Sequence, residues 1–139
     1  MYGRKEIEMK IIGIIGSRER DSNLDFLACE KIFLSIYEDG DEIVSGGCPK
    51  GGDRFAEALS KKHQVPIKIY PAQWKKYGKG AGFVRNTNIA EDADELIAVV
   101  REDRKGGTED TVKKFLKKID EVCLHLVPQV ENTDDLIDP

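Results

Sequence analysis

The sequence contains no apolar run that approaches the roughly 20 residues of a membrane-spanning helix. Residues 1–6 are expected to lead directly into the first strand without the cleavage region of a secretory signal. The chain has 139 residues, of which 40% are hydrophobic and 35% charged, and this length and composition are typical of one soluble globular domain. We therefore predict a single domain over residues 1–130, a poorly ordered acidic tail over residues 131–139, and a cytoplasmic location.

Cysteine and histidine are scarce, with three and two residues respectively. Cys29 lies in an apolar helical pattern and Cys123 in a strand-like run, which favours buried thiols over a disulfide. Cys48 lies in a glycine-rich turn, where thiolates can be activated, but no histidine partner is close in sequence. His63 and His125 are far apart and lack the spacing of metal ligands. No metal site and no cofactor are predicted.

Acidic residues are absent from residues 58–90, although Asp and Glu make up 26 of the 139 residues and the net charge is −4. The same stretch carries seven cations: Lys61, Lys62, Lys68, Lys75, Lys76, Lys79 and Arg85. A solvated basic face accounts for part of this pattern. A locally positive opening around an anionic ligand accounts for it better.

The standard glycine-rich nucleotide motifs are also missing, since neither Gly-x-Gly-x-x-Gly nor a Walker sequence occurs. Instead, glycine-containing turns follow three strand-like runs, at residues 13–18, 45–54 and 104–108. One such turn can be a simple tight connection. Three of them, each with a hydroxyl or cation nearby, predict one phosphate- or sugar-binding crevice. The candidate ligand-binding residues are Gly16, Ser17, Arg18, Ser45, Gly46, Gly47, Lys50, Gly51, Asp53, Arg54, Arg85, Asn86, Gly106, Gly107 and Thr108.

Several of these side chains have two possible roles, one in ligand binding and one in the structure. Arg18 and Arg54 can each hold a phosphate through a fork of donors or form surface salt bridges. Asp53 can bind ribose hydroxyls or cap a helix. Trp74 and Tyr77 can stack on a base or anchor a long loop to the core. Arg85 and Asn86, which begin a short helix, can bind phosphate or hold the long loop to the sheet.

Alternating apolar patterns predict an α/β fold: a single Rossmann-like three-layer domain with a mostly parallel five-stranded sheet. The predicted strands span residues 9–15, 42–45, 66–70, 95–100 and 122–127. The predicted helices span residues 24–36, 53–63, 84–92 and 108–118, the first after a capping box of Ser22 and Asp25. Residues 71–84 are predicted to be irregular. In a doubly wound sheet the first strand is central and the ligand binds beside its C-terminal end.

The order of these motifs resembles the YspA/cpYpsA-related branch of the SLOG superfamily, from about residue 10 to residue 127. The shared features are a Gly-Ser-Arg turn, a glycine-rich turn ending in Asp-Arg, a Pro-Ala-x-Trp segment with later Tyr-Gly, Ala-Gly and Arg-Asn pairs, and a Gly-Thr turn. Here they occupy residues 16–18, 46–54, 71–74, 77–78, 81–82, 85–86 and 106–108. The resemblance implies a Rossmann-like fold and a role in sensing or processing nucleotides or nucleotide-derived ligands.

The wider superfamily includes the Lonely Guy phosphoribohydrolases, whose motif places a glutamate three residues after the threonine of its Gly-Thr turn. This chain has Thr111 at that position, and Glu109 is a different helical position. A ligand-binding sensor is therefore favoured, and an N-glycosidic hydrolase with Asp53, Glu109 or Asp110 as its carboxylate is the alternative. Nucleic-acid binding, by analogy with the related DprA proteins, is disfavoured by the acidic net charge. The resemblance also allows a homo-oligomer.

Overall fold

The computed structural model describes residues 9–136. Five parallel strands form one sheet in the order β3-β2-β1-β4-β5, which confirms the predicted α/β Rossmann-like fold with the first strand at its centre. The expectation that residues 1–6 carry no secretory signal concerns a segment outside the described residues. The main elements are β1 (Ile11–Gly16), α1 (Asn23–Ile36), β2 (Glu42–Ser45), α2 (Gly52–His63), β3 (Ile67–Ile69), α3 (Trp74–Tyr77), α4 (Ala81–Asp92), β4 (Glu95–Val99), α5 (Gly107–Leu116) and β5 (Leu124–Leu126).

Helices cover both faces of the sheet, and the alternating side chains of β1 serve both cores. Ile12 and Ile14 pack with Phe33 and other residues from α1 and α2, while Ile15 packs with residues from α4 and α5. Burial on both faces explains the nearly continuous apolar sequence of this strand. Among the residues that the structure describes, no helix has both the length and the apolar character needed to cross a membrane.

The predicted capping box at the start of α1 is confirmed, because the Asp25 N–H donates to Ser22 Oγ at 3.0 Å and the Ser22 N–H donates to Asp25 Oδ2 at 3.4 Å. Asp25 also pairs with Arg20, a buried cation that the sequence motifs do not single out. Arg20 Nη1 donates to the Val127 carbonyl at 2.7 Å, and Nη2 donates to Pro128 at 2.9 Å. Arg20 therefore joins the start of α1 to the chain that follows β5.

The prediction of an irregular stretch over residues 71–84 is wrong for most of its length. Residues Trp74–Tyr77 form α3, Gly78–Gly80 form a 3₁₀ turn, and α4 begins at Ala81 rather than at residue 84. The glycines lower helix propensity and obscure the pattern in the sequence. The buried Ala81 anchors the first turn of α4, so tertiary packing overrides that propensity.

The C-terminal region also departs from expectation. The fifth strand covers only Leu124–Leu126, because Glu121–Cys123 form a 3₁₀ turn in which the Asp120 side chain accepts the Val122 N–H. Cys123 is therefore half-buried at the end of a turn rather than inside a strand. The acidic tail is expected to be poorly ordered, but Thr133–Leu136 form a further 3₁₀ turn and Leu136 packs against the core. Residues 137–139 lie outside the described residues.

The first turn of α2 lies directly against the backbone at the end of β1. A Cβ on Gly52 would lie 2.1 Å from the carbonyl carbon of Ile15, and a Cβ on Gly51 would lie 2.1 Å from the Ser17 oxygen. Gly51 also has φ +76°, a conformation that L side chains rarely adopt. Only glycine fits at both positions, and their approach brings the N-terminus of α2 to the C-terminal edge of the central strand.

We predict that Gly52→Ala destabilises the protein by about 3 kcal/mol or more, because the added methyl group collides with backbone that cannot rotate away. Gly80→Ala is the matched control, since a Cβ at Gly80 meets no heavy atom within 4 Å. We expect the control to stay within about 0.5 kcal/mol of the natural chain. Urea denaturation followed by circular dichroism measures both. Equal stability of the two variants would contradict the close approach.

Candidate functional site

A crevice of about 530 Å³ opens at the C-terminal edge of the sheet, between the connections that follow β1, β2, β3 and β4. This is the edge at which ligands bind in open α/β sheets. The structure brings most of the predicted site residues together there. The predicted residues that line it are Gly16, Ser17, Arg18, Gly46, Gly47, Asp53, Arg85, Asn86, Gly106, Gly107 and Thr108.

The remaining predicted residues, Ser45, Lys50, Gly51 and Arg54, are not in the crevice wall. Arg54 instead donates from Nε to Asp21 Oδ1 at 2.7 Å, and the Gly51 N–H donates to the same oxygen at 2.7 Å. These two bonds hold the pKa of Asp21 below its usual range, the Gly51 N–H having the larger effect. Arg54 thus fixes the chain between β1 and α1 to the first turn of α2.

Asp53 forms part of the crevice floor and is 7% exposed. Its Oδ2 accepts the Cys48 N–H at 3.0 Å, and its Oδ1 lies 3.0 Å from the Ser45 hydroxyl. Burial raises the pKa of Asp53, although the Cys48 and Gly46 N–H groups, the Ser45 hydroxyl and the charge of Arg85 act in the opposite direction. Helix capping is not its role, because Gly51 occupies the N-cap position of α2 and no side chain caps this helix.

Arg85 and Asn86 connect three walls of the crevice. Arg85 Nη1 donates to the Gly46 carbonyl at 3.3 Å, and Arg85 Nε donates to Asn86 Oδ1 at 2.9 Å. Asn86 Nδ2 in turn donates to Asp110 Oδ2 at 3.1 Å and to the Gly107 carbonyl at 3.3 Å. The side chains of α4 therefore hold the turn after β2 and the start of α5 in fixed positions.

The crevice presents cations and open backbone donors to a ligand. Within residues 9–136, no hydrogen bond or ion pair engages the side chains of Arg18 and Lys105, whereas Arg101 pairs with Asp103 at 2.9 Å and Glu19 at 3.4 Å. Gly106, at φ +104°, begins α5 without a side-chain cap. The positive end of this helix therefore faces the same opening as the cations.

Two of the three carboxylates considered for a hydrolase lie outside the crevice. Glu109 is buried and binds Arg104 through both of its oxygens. Asp110 accepts from Asn86 and pairs with Lys114 at 2.9 Å. Thr111 does line the crevice and is 1% exposed. Of the three candidates, only Asp53 is placed to meet a ligand.

The sequence-based list of site residues omits several that line the crevice: Ile15, Glu19, Cys48, Pro71, Ala72, Trp74, Ile89, Arg101, Lys105 and Thr111. Arg101 and Glu19 closely follow the ends of β4 and β1, and this position after a strand is the signal that could identify them. Trp74 does not anchor a loop to the core, because it is 62% exposed at the rim. Tyr77 is 40% exposed and does not line the crevice.

Cys29 and the two histidines have structural surroundings. Cys29 is buried, which raises the pKa of its thiol to about 12. His63 contacts Glu30 at 2.8 Å, and His125 contacts Glu95 at 2.7 Å. In the described part of the chain, no group of three or more His, Cys, Asp or Glu residues is arranged to hold a metal ion.

The fold is shared with a solved structure, the molybdenum cofactor binding protein from the phototrophic bacterium Rippkaea orientalis. The two structures superpose with a TM-score of 0.63 at 19% sequence identity, over 87% of this chain and 77% of that one. At this identity the similarity establishes the α/β fold alone. No protein-family model matches the chain, and no curated protein matches it.

We predict that Asn86→Ala destabilises the protein by about 1–3 kcal/mol, because it removes the hydrogen bonds that the buried Asn86 side chain makes to the start of α5 and to Arg85. Asn88→Ala is the control on the same helix, since the Asn88 side chain makes no hydrogen bond within the described residues. The control should change the free energy of unfolding by less than about 0.5 kcal/mol. Chemical denaturation measures both, and an Asn86 variant as stable as its control would show that the bridge contributes nothing.

Proposed function

We propose that this protein binds a nucleotide or nucleotide-derived ligand in the crevice, as a sensor or processing module of the YspA-related branch of the SLOG superfamily. The observation that carries the proposal is the pair of unengaged cations, Arg18 and Lys105, beside the uncapped start of α5. Phosphate is the anion that such a combination of charge and backbone donors favours. We place this activity in the cytoplasm and in a domain spanning residues 1–130, with residues 131–139 as an acidic tail.

The positions of the cationic and aromatic side chains along the sheet edge support a ligand with one anionic end and one planar end. Lys105 and the start of α5 follow β4, whereas Pro71 and Trp74 follow β3, at the opposite side of the crevice. The order β4-β1-β2-β3 separates them by three strand spacings, about 14 Å. A nucleoside phosphate has suitable dimensions, with its phosphate near α5 and its base near the exposed indole of Trp74.

A small molecule fits the site better than a nucleic acid. The net charge is −4, and the unengaged cations converge on one crevice rather than along an extended stripe. The molybdenum cofactor binding protein of the same fold supports a small-molecule ligand in general terms. That cofactor is the second ligand to test, and its binding in preference to nucleotides would replace the nucleotide proposal. A homo-oligomer is compatible with either ligand.

The binding prediction concerns Arg18. Calorimetric titration with AMP, ADP and NAD should detect binding to the natural chain, and Arg18→Ala should weaken it by about 1.5–3 kcal/mol through loss of charge-assisted hydrogen bonds. Lys61→Ala removes the same charge from the far end of α2 and serves as the control for net charge. We expect the control to bind as the natural chain does.

Two results would contradict the nucleotide proposal. One is the absence of binding by any of these ligands at millimolar concentration. The other is equal affinity for AMP and adenosine, which would show that the crevice does not recognise phosphate. A parallel loss of affinity in Arg18→Ala and Lys61→Ala would assign the effect to overall charge rather than to a contact.

For turnover, we predict little or no release of free base from nucleoside monophosphates. Glu109 and Asp110 are engaged outside the crevice, and Thr111 occupies the position of the hydrolase glutamate. A positioned acid or base contributes about 10²–10⁴-fold to such reactions. Incubation with AMP followed by mass spectrometry tests this prediction. Release of adenine and ribose 5-phosphate that Asp53→Asn abolishes would establish the hydrolase alternative instead.

A further inference from the structure

Within residues 9–136, Thr111 is the one buried polar residue whose side chain makes no hydrogen bond. It is 1% exposed. A buried hydroxyl without a partner is unfavourable, so such a group in a folded protein points to a partner that the chain itself does not supply. The other buried polar side chains are all bonded within this range: Arg20, Asp25, Glu30, Asp41, Ser45, Asp53, Asn86 and Glu109.

Thr111 also lacks the local bond that a threonine in a helix can make to the carbonyl four residues earlier. Thr87 in α4 makes that bond, since its Oγ1 donates to the Phe83 carbonyl at 2.9 Å. The corresponding carbonyl for Thr111 is that of Gly107, which instead accepts Asn86 Nδ2 at 3.3 Å. The described part of the chain therefore leaves the Thr111 hydroxyl available both as a donor and as an acceptor.

Thr111 lies on the face of α5 that lines the crevice. Gly107 and Thr108 line the same crevice, and residues three or four positions apart share one face of a helix. Helical side chains lean towards the N-terminus of their helix, so the side chain of Thr111 leans towards the uncapped start of α5. Its hydroxyl is therefore placed to meet a ligand that binds at this end of the crevice.

The position of Thr111 along α5 determines which part of a ligand it reaches, and this step rests on the proposed function. A phosphate beside Lys105 would bind the free N–H groups at the start of α5. Thr111 follows Gly107 by four residues, or about 6 Å along the helix axis at about 1.5 Å per residue. The group that lies next to the phosphate in a nucleotide is its sugar. Sugar hydroxyls can donate and accept, as the Thr111 hydroxyl can.

We propose that Thr111 is a specificity-determining residue of the crevice, whose hydroxyl forms a hydrogen bond with a ribose hydroxyl of the ligand. The ligand class is then a phosphorylated ribonucleoside with its sugar hydroxyls free. A deoxy analogue would leave the buried Thr111 hydroxyl without a partner, and a site built around such a bond discriminates against ligands that cannot form it.

The first test uses no ligand and asks whether the Thr111 hydroxyl is bonded within the protein. Thr111→Val replaces the hydroxyl with a methyl group of similar size, so the urea midpoint should stay at or above that of the natural chain. Ser45→Ala is the contrast, because the equally buried Ser45 hydroxyl lies 2.5 Å from the Ile14 carbonyl oxygen and its loss should lower the midpoint. A lower midpoint in Thr111→Val would indicate a partner inside the protein and overturn the proposal.

The second test measures the affinities of AMP, 2′-deoxy-AMP and 3′-deoxy-AMP by calorimetric titration. The natural chain should bind AMP about fivefold more tightly than the analogue that lacks the contacted hydroxyl, the ratio given by a hydrogen bond of about 1 kcal/mol. Thr111→Val should abolish this preference, whereas Thr111→Ser, which keeps the hydroxyl, should retain it. Thr87→Val makes the same change outside the crevice wall and should bind as the natural chain does.

The outcomes separate the sugar contact from the nucleotide proposal. If AMP binds but the natural chain does not distinguish it from either analogue, or if the preference survives in Thr111→Val, the sugar contact is refuted and nucleotide binding stands. An equal loss of affinity for all three ligands in Thr111→Val would assign the hydroxyl to the phosphate and also refute the sugar contact. If none of the three binds at millimolar concentration, the nucleotide proposal fails and the sugar contact fails with it.

Discussion

The contact between the first turn of α2 and the backbone at the end of β1 determines the geometry of the candidate site. Gly51 and Gly52 allow this contact because neither carries a Cβ. It places Asp53 beneath the crevice and turns Arg54 towards Asp21. A larger residue at either glycine would separate helix and strand, so the positions of these charged side chains depend on a backbone-to-backbone distance.

Around this contact, polar groups of the protein are largely satisfied by one another before any ligand arrives. Asn86 uses its amide on the start of α5, and Arg85 uses two of its nitrogens on α4 and the turn after β2. Such mutual bonding fixes the walls of the crevice without consuming its exposed cations. Preorganisation of this kind reduces the entropy lost when a ligand binds.

The sequence alone was sufficient for the order of the five strands and the four longer helices, since the apolar patterns of β1, β2 and β4 and the capping box of α1 are local signals. The convergence of three glycine turns also follows from parallel strand topology. The start of α4 at Ala81 could not be predicted, because it depends on the burial of Ala81, which no local pattern shows, and α3 contains no buried residue that would give an apolar pattern. The engagement of Arg54 by Asp21 is likewise a tertiary pairing, between residues 33 positions apart.

The pairing of β1 with β4 has a consequence for folding. Ile12 lies opposite Glu95, so one of the two neighbours of the central strand β1 comes from a segment about 80 residues later in the chain. Contacts of such long sequence separation slow folding, because a large loop must close before they form. During synthesis, the apolar β1 would be paired with β2 alone and would expose its other edge until residues 95–99 emerge. This half-completed sheet is the stage at which the chain is most prone to pair with another copy.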